Sequence, residues 1–156
     1  MSNHMEHRKK YKLISHRGNI SGPDPSSENH PDYIREALLA GYECEVDVWY
    51  KDNEWWLGHD EPVYDIDKSF LRNDKLWCHA KNLEALNAML NDNVHCFWHQ
   101  EDDYTLTSNG YIWTYPGKKL SKKSICVLPE LNKKKLTKSI SGICSDFIEQ
   151  YKKLYD

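Results

Sequence analysis

The sequence predicts an α/β fold: a pared-down TIM-type βα barrel with about seven strands and few helices. Three observations predict it. Short apolar, β-prone runs recur along the chain, and the early ones are separated by helix-patterned spacers, as parallel βα units require. Polar residues gather where those runs end, at His16, Arg17, Asp47, His59, Lys81, His99, Glu101, Glu130 and Asp146, and βα barrels build their sites at strand carboxyl ends. Finally, the chain has 156 residues, enough for one core but short of the roughly 200 residues of a complete barrel.

Composition narrows the function classes. Charged residues make up 29% and hydrophobic ones 39%, the balance of a folded globular domain. A net charge of −3 gives no electrostatic case for nucleic acid or acidic lipid as a partner. No apolar run approaches the roughly 18 residues of a membrane span, so no membrane association is expected. Residues 1–10 are polar, carry no signal-peptide core, and read as a disordered lead-in to a single domain over residues 11–156. Each of the five cysteines sits in a different apolar run, and no CxxC pair exists. Reduced, buried thiols of a cytoplasmic protein are therefore expected.

The elements follow in order. Tyr11 to Ser15 reads as the first strand, ending in His16-Arg17-Gly18, and the Gly, Pro and Ser of Ile20 to Ser27 make a loop. A helix over Asp32 to Ala40 places Tyr33, Ile34, Ala37 and Leu38 on one face, and Gly41 ends it. Tyr42 to Tyr50 is the second strand. Side chains two apart share a strand face, so Glu43, Glu45 and Asp47 line one face while Cys44, Val46 and Val48 line the other. Carboxylates buried in such a strand need a cation or several hydrogen bonds.

Lys51-Asp52-Asn53 is a turn into a short strand, Glu54 to Leu57, that ends at Gly58-His59-Asp60. A helical turn or two is expected over Asp65 to Arg72, and a third strand over Leu76 to Lys81. Asn82 caps a helix from Leu83 to Leu90 with Leu83, Leu86, Ala88 and Leu90 inside. Val94 to His99, Tyr111 to Tyr115, Ser124 to Leu128 and Gly142 to Ser145 are the remaining strands. Asp146 opens a last helix with Phe147, Ile148, Tyr151 and Leu154 inside. Spacers after the fourth strand are too short for full helices; a homo-oligomer is one way to cover the exposed flanks. The lysine-dense stretch from Lys118 to Lys138 reads as a solvated face, with attraction of an anionic substrate as the alternative. Most of the six Trp read as core or strand-flank cover.

In one stretch, residues 13–62, the motifs occur together. His16-Arg17-Gly18, Glu28-Asn29 before a helix, Ala40-Gly41 leading to Glu45-Val46-Asp47-Val48, Lys51-Asp52 and Gly58-His59-Asp60 follow one another in order. In order and spacing they resemble the opening of the glycerophosphodiester phosphodiesterase family, within the phospholipase-C-like phosphodiesterase barrels. Gly142-Ile143-Cys144-Ser145-Asp146 is similar to the family's last strand. The resemblance implies that His16 and His59 form the general acid/base pair, that Arg17 binds phosphate, and that Glu45 and Asp47 hold Mg²⁺ or Ca²⁺. It aligns His79-Ala80-Lys81 with the family's Glu-x-Lys, so Lys81 joins the phosphate contacts and His79 stands where a third carboxylate ligand is usual. Imidazole suits Mn²⁺ or Zn²⁺ better than Ca²⁺. Asn29, inside the Glu28-Asn29 motif, is assigned to the substrate side of the site. The family's insertion after the second histidine is missing.

The residue types support the same chemistry. A phosphodiester gains charge around phosphorus as a nucleophile attacks, and Arg17, Lys81 and a cation can stabilise that charge. One histidine takes the nucleophile's proton while the other protonates the leaving alkoxide. The expected function is hydrolysis of a small glycerophosphodiester or related sugar phosphodiester by a metal-dependent phosphodiesterase. Two alternatives stand beside it: a non-catalytic module that binds a phosphorylated ligand on a degenerate barrel, and a zinc-dependent hydrolase using His16, His79 and His99 with a carboxylate.

Overall fold

The computed structural model describes residues 11–132, 136–137 and 139–155. The expected lead-in over residues 1–10 and the lysines at 133–135 lie outside the described residues.

Among the described residues, apolar runs become ten strands in one mixed sheet, more than the seven expected. They are β1 (Lys12–His16), β2 (Glu43–Lys51), β3 (Glu54–Leu57), β4 (Tyr64–Ile66), β5 (Leu76–Ala80), β6 (Cys96–Phe97), β7 (Tyr104–Leu106), β8 (Ile112–Thr114), β9 (Ser124–Val127) and β10 (Gly142–Ser145). Parallel pairings run β6-β5-β2-β1-β10-β9-β8. β3 is the expected hairpin extension, outside that count, and β4 and β7 are additional; all three pair antiparallel. β2 serves two neighbours along one edge: its first half pairs with β1, and its second half with β3.

The sheet curls into a half-barrel, and no ladder joins β6 to β8 among the described residues. β6 is only two residues long, too short to carry a second ladder. Its free edge is instead met by β7 and the turn that follows it. Ser108 N donates to the Cys96 carbonyl at 2.8 Å, and Thr105 Oγ1 donates to the Trp98 carbonyl at 2.7 Å.

Among the described residues, three α-helices cover the outside: α1 (Pro31–Leu39), α2 (Leu83–Asn91) and α3 (Ile148–Tyr155). His30 caps α1 and Asn82 caps α2, each with a side-chain acceptor for a first-turn N–H. Ile34 of α1 and Ala85 and Met89 of α2 pack on Cys44, Val46, Val48 and Cys78, the outward residues of β2 and β5. Ile148 of α3 packs on Tyr42 and Ile143. Two expected inward leucines of α2 are corrected: Leu83 is 69% and Leu90 50% exposed. Ala85 and Met89 face the sheet in their place, because the wall of β2 and β5 selects the stripe four residues apart. Leu154 at the end of α3 is likewise 66% exposed. Lys68–Arg72 forms a short 3-10 turn capped by Asp67. All five cysteines are buried, and none forms a disulfide. No helix among the described residues is long and apolar enough to cross a membrane.

The inside of the curl is layered. Ile14, Trp77, Phe97, Trp113, Ile125 and Cys144 fill its lower part. His95, just before β6, closes the bottom: its ring lies 4.3 Å from the Trp77 ring and its Nε2 contacts Thr107 Oγ1 at 2.8 Å. Burial, helped by the Lys12 ammonium, pushes this imidazole down to about 4. The unfolded chain therefore takes up the proton first. Stability present above pH ~6.5 is lost as pH falls toward 4, with an upper limit of ~3 kcal/mol. Urea denaturation at pH 7 and pH 5 checks this: His95→Gln should flatten the pH dependence, and an unchanged slope would assign it to other groups.

Candidate metal centre and strand-end site

Above the Trp77 layer, the inner face turns polar. In a parallel ladder, residues in register share a face, and the register sets His16 beside Glu45 and Asp47 beside His79. Sequence alternation had placed Glu43 on this face as well. It sits lower, paired with the Lys12 ammonium at 3.3 Å and accepting from Trp77 Nε1 at 3.1 Å.

Glu45, Asp47 and His79 form a cluster in which one ligand atom from each lies within 4.8 Å of the others, and this cluster can hold a metal ion. Glu45 is 2% exposed and Asp47 0%. Glu45 Oε2 and Asp47 Oδ1 are buried without a hydrogen-bond partner. Buried acceptors of this kind are rare without a reason, and a cation between them is the simplest one. The donor set therefore fits a divalent ion. Burial and the neighbouring Asp47 charge push the Glu45 carboxyl up. For Asp47, burial is outweighed by His59, His79 and Arg17, and its carboxyl lies well below the usual range. Burial lowers His79, but Asp47 and Glu45 more than reverse it, and its pKa is raised.

Arg17 and Asn29 reach the cluster through backbone that non-glycine residues seldom adopt, with φ of +59° and +67°. The two segments are tied together: Asn29 N donates to the Arg17 carbonyl at 3.1 Å. Asn29 then grips Asp47 twice, its Nδ2 donating to Asp47 Oδ2 at 2.8 Å while Asp47 N donates to Asn29 Oδ1 at 3.0 Å. Asn29 thus holds a carboxylate of the candidate cluster. Arg17 contacts Asp47 Oδ2 through Nε at 3.1 Å, Glu28 at 3.3 Å and His59 Nδ1 at 2.7 Å. A guanidinium has five N–H donors, so donors remain for an anion. Gly18 follows with φ +97°, and a Cβ there would stand 2.5 Å from the Tyr33 ring, so only glycine fits this turn.

His16 is held from the far end of the chain. Its Nδ1 is 2.7 Å from Asp146 Oδ1, and its Nε2 faces Glu45 Oε2 at 3.8 Å. Asn19 Nδ2 donates to the same Asp146 oxygen at 2.9 Å, and the Tyr33 hydroxyl donates to Asn19 Oδ1 at 2.8 Å. Glu130 fixes the loop by accepting from Asp146 N at 3.2 Å and Ser145 Oγ at 2.9 Å. Burial lowers His16, yet the Asp146 hydrogen bond and the Glu45 charge leave its pKa raised. Asp146 is pulled below the usual carboxylate range, chiefly by His16 against the effect of burial.

His59 sits at the mouth, 45% exposed on the side-chain scale, and 3.6 Å from Asp47 Oδ2. Gly58 N donates to the Asp47 carbonyl at 3.1 Å, which brings the histidine to the cluster. The Lys81 backbone N donates to the Val48 carbonyl at 2.9 Å, at the rim; its ammonium makes no ion pair among the described residues. The histidines of the zinc alternative separate. His16 engages Asp146, and His99 Nε2 donates to the Asp102 carbonyl at 2.7 Å, so only His79 faces both cluster carboxylates.

Sequence reading therefore named His16, Arg17, Asn29, Glu45, Asp47, His59, His79 and Lys81 as one group; the first seven converge, and Lys81 stands at the rim. It gave no site role to Glu28, Asn19 or Tyr33, and placed Asp146 only at a strand end. A signal for Glu28 was available in its position next to Asn29. No protein-family model, curated protein or solved structure matches this chain.

Proposed function

We propose that the chain is a small metal-dependent phosphodiesterase, acting on a glycerophosphodiester or related sugar phosphodiester, on a short TIM-type scaffold. The observation that carries this reading is the juxtaposition of an Asp146-oriented imidazole, a guanidinium and a buried cation-binding cluster at one end of the sheet. Seven strands linked in parallel support the barrel affinity.

Glu45, Asp47 and His79 hold the ion, with Mg²⁺, Ca²⁺, Mn²⁺ and Zn²⁺ as candidates. When bound, it supplies Lewis-acid charge against the negative charge that develops on the phosphate. Arg17 and Lys81 contact phosphate oxygens and orient the diester. His59 is the base: Arg17 donates to its Nδ1, and once that N–H turns to a phosphate oxygen the freed Nδ1 lone pair takes the nucleophile's proton. His16 carries its proton on Nε2, with Nδ1 fixed by Asp146, and delivers it to the departing alkoxide as the P–O bond breaks.

Incubating the protein with an aryl phosphodiester and a panel of glycerophosphodiesters, with each ion or chelator, tests the reading. Turnover that needs metal and disappears in His16→Ala is expected. Folded protein that turns over none of these with any ion would leave the second reading, a phospho-ligand-binding module. The open position of His59 favours that alternative.

A further inference from the structure

The candidate metal cluster contains one feature that an oxygen-only site lacks, the His79 imidazole. His79 Nε2 donates to the His99 carbonyl at 2.9 Å. The carbonyl can only accept, so that nitrogen bears the hydrogen. The ring also stacks on Phe97, with centroids 5.2 Å apart and planes at 16°. One restraint fixes the tautomer and the other the plane of the ring. Nδ1 is thereby turned to the carboxylates, 3.1 Å from Asp47 Oδ1 and 3.8 Å from Glu45 Oε1. Ligand atoms bonded at about 2.0–2.2 Å to one ion lie roughly 3.0–3.5 Å apart, close to these separations.

We propose that this centre selects a first-row transition ion of the Mn²⁺ or Zn²⁺ kind over Mg²⁺ and Ca²⁺, and that His79 Nδ1 is the selecting ligand. Ca²⁺ takes six to eight oxygens and Mg²⁺ prefers oxygen in a near-ideal octahedron. An imidazole nitrogen suits the later ions. The buried carboxylates give charge to any divalent ion; only the nitrogen distinguishes among them. The proposal rests on the metal-dependent reading of the site and adds which ion it serves.

The test uses metal-free full-length protein. Calorimetric titration with Mn²⁺, Zn²⁺, Mg²⁺ and Ca²⁺ is run on wild type, His79→Glu and Glu45→Gln. Pulsed electron paramagnetic resonance of the Mn²⁺ form looks for coupling to a directly bound nitrogen. Wild type should bind Mn²⁺ and Zn²⁺ at least 100-fold more tightly than Mg²⁺ and Ca²⁺. His79→Glu should narrow that ratio tenfold or more and erase the nitrogen coupling, while His16→Ala keeps it. An unchanged ratio in His79→Glu, or a coupling lost with His16 instead, overturns the assignment but leaves a metal site. Should none of the four ions bind folded wild type, both this proposal and the metal-dependent function fail together. If His79→Glu does not fold, the presence or absence of nitrogen coupling in wild type and His16→Ala decides.

Discussion

Glu45→Gln should raise the stability of the metal-free protein, whereas Asp47→Asn, two residues along the same strand face, should lower it. Both side chains are almost wholly buried, but their surroundings differ. Each keeps one oxygen without a hydrogen-bond partner, but Asp47 Oδ2 accepts from Asn29 Nδ2, whereas Glu45 faces the Asp47 charge. Its folded pKa is raised, so its favourable contribution is complete only below the ordinary carboxylate pKa and is lost as pH rises through the raised value. At pH 7 this carboxyl is a net cost, and an isosteric amide removes about 1–3 kcal/mol of it. His16 and His79 are not stranded by the change, since Asp146 and Asp47 still face them.

Asp47 has the opposite sign. Its pKa is held low by His59, His79 and Arg17 against burial, so its contribution is present above the ordinary carboxylate pKa and lost as pH falls through the lowered one. Removing the charge leaves the Arg17 guanidinium partly buried without its main counter-ion, which costs roughly 3–5 kcal/mol for a buried pair. Urea denaturation with chelator present reads both effects. The gain in Glu45→Gln should shrink on acidification, and stabilisation of wild type by added metal should vanish in both variants. A Glu45→Gln protein less stable than wild type at pH 7 would show that Glu45 is satisfied without a cation.

His16→Ala should lower kcat/KM by about 10²–10⁴-fold, the usual contribution of a general acid or base. Asp146→Asn should lose less and should change the pH profile. As general acid, His16 works while protonated, so activity falls as pH rises through its raised pKa. Asp146 is the chief group that raises it against burial, and the asparagine variant lowers it. The alkaline limb of kcat/KM should then move to lower pH, a change that a merely structural role would not produce. An alkaline limb that stays in place while overall activity falls would remove His16 from the role of acid.

Much of the site was legible because it is written with local periods. Alternation along β2 puts Glu45 and Asp47 on one face and Cys44, Val46 and Val48 on the other, whatever the rest of the chain does. His16-Arg17-Gly18 and Gly58-His59 fall at element ends, where glycine turns the backbone toward the site. The strands β4 and β7 were missed because each is three residues long with a polar middle residue, whereas the equally short β8 lies inside the apolar run Tyr111 to Tyr115. Helix α2 carried too many leucines for its sequence to say which stripe would be buried.

The local pattern could decide residue types, faces and strand ends, since these depend on neighbours within a few positions. It could not decide partners. Asp146 meets His16 across 130 residues, and Arg17 reaches Glu28, Asp47 and His59 across 11, 30 and 42. Those pairings exist because β10 lies beside β1, and β1 beside β2, in one register. That adjacency is chosen by burial of the whole inner layer rather than by any single segment. The same holds for His79: its place in β5 was readable, while the donor to the His99 carbonyl and the nitrogen turned toward the carboxylates came only with β6 docked alongside.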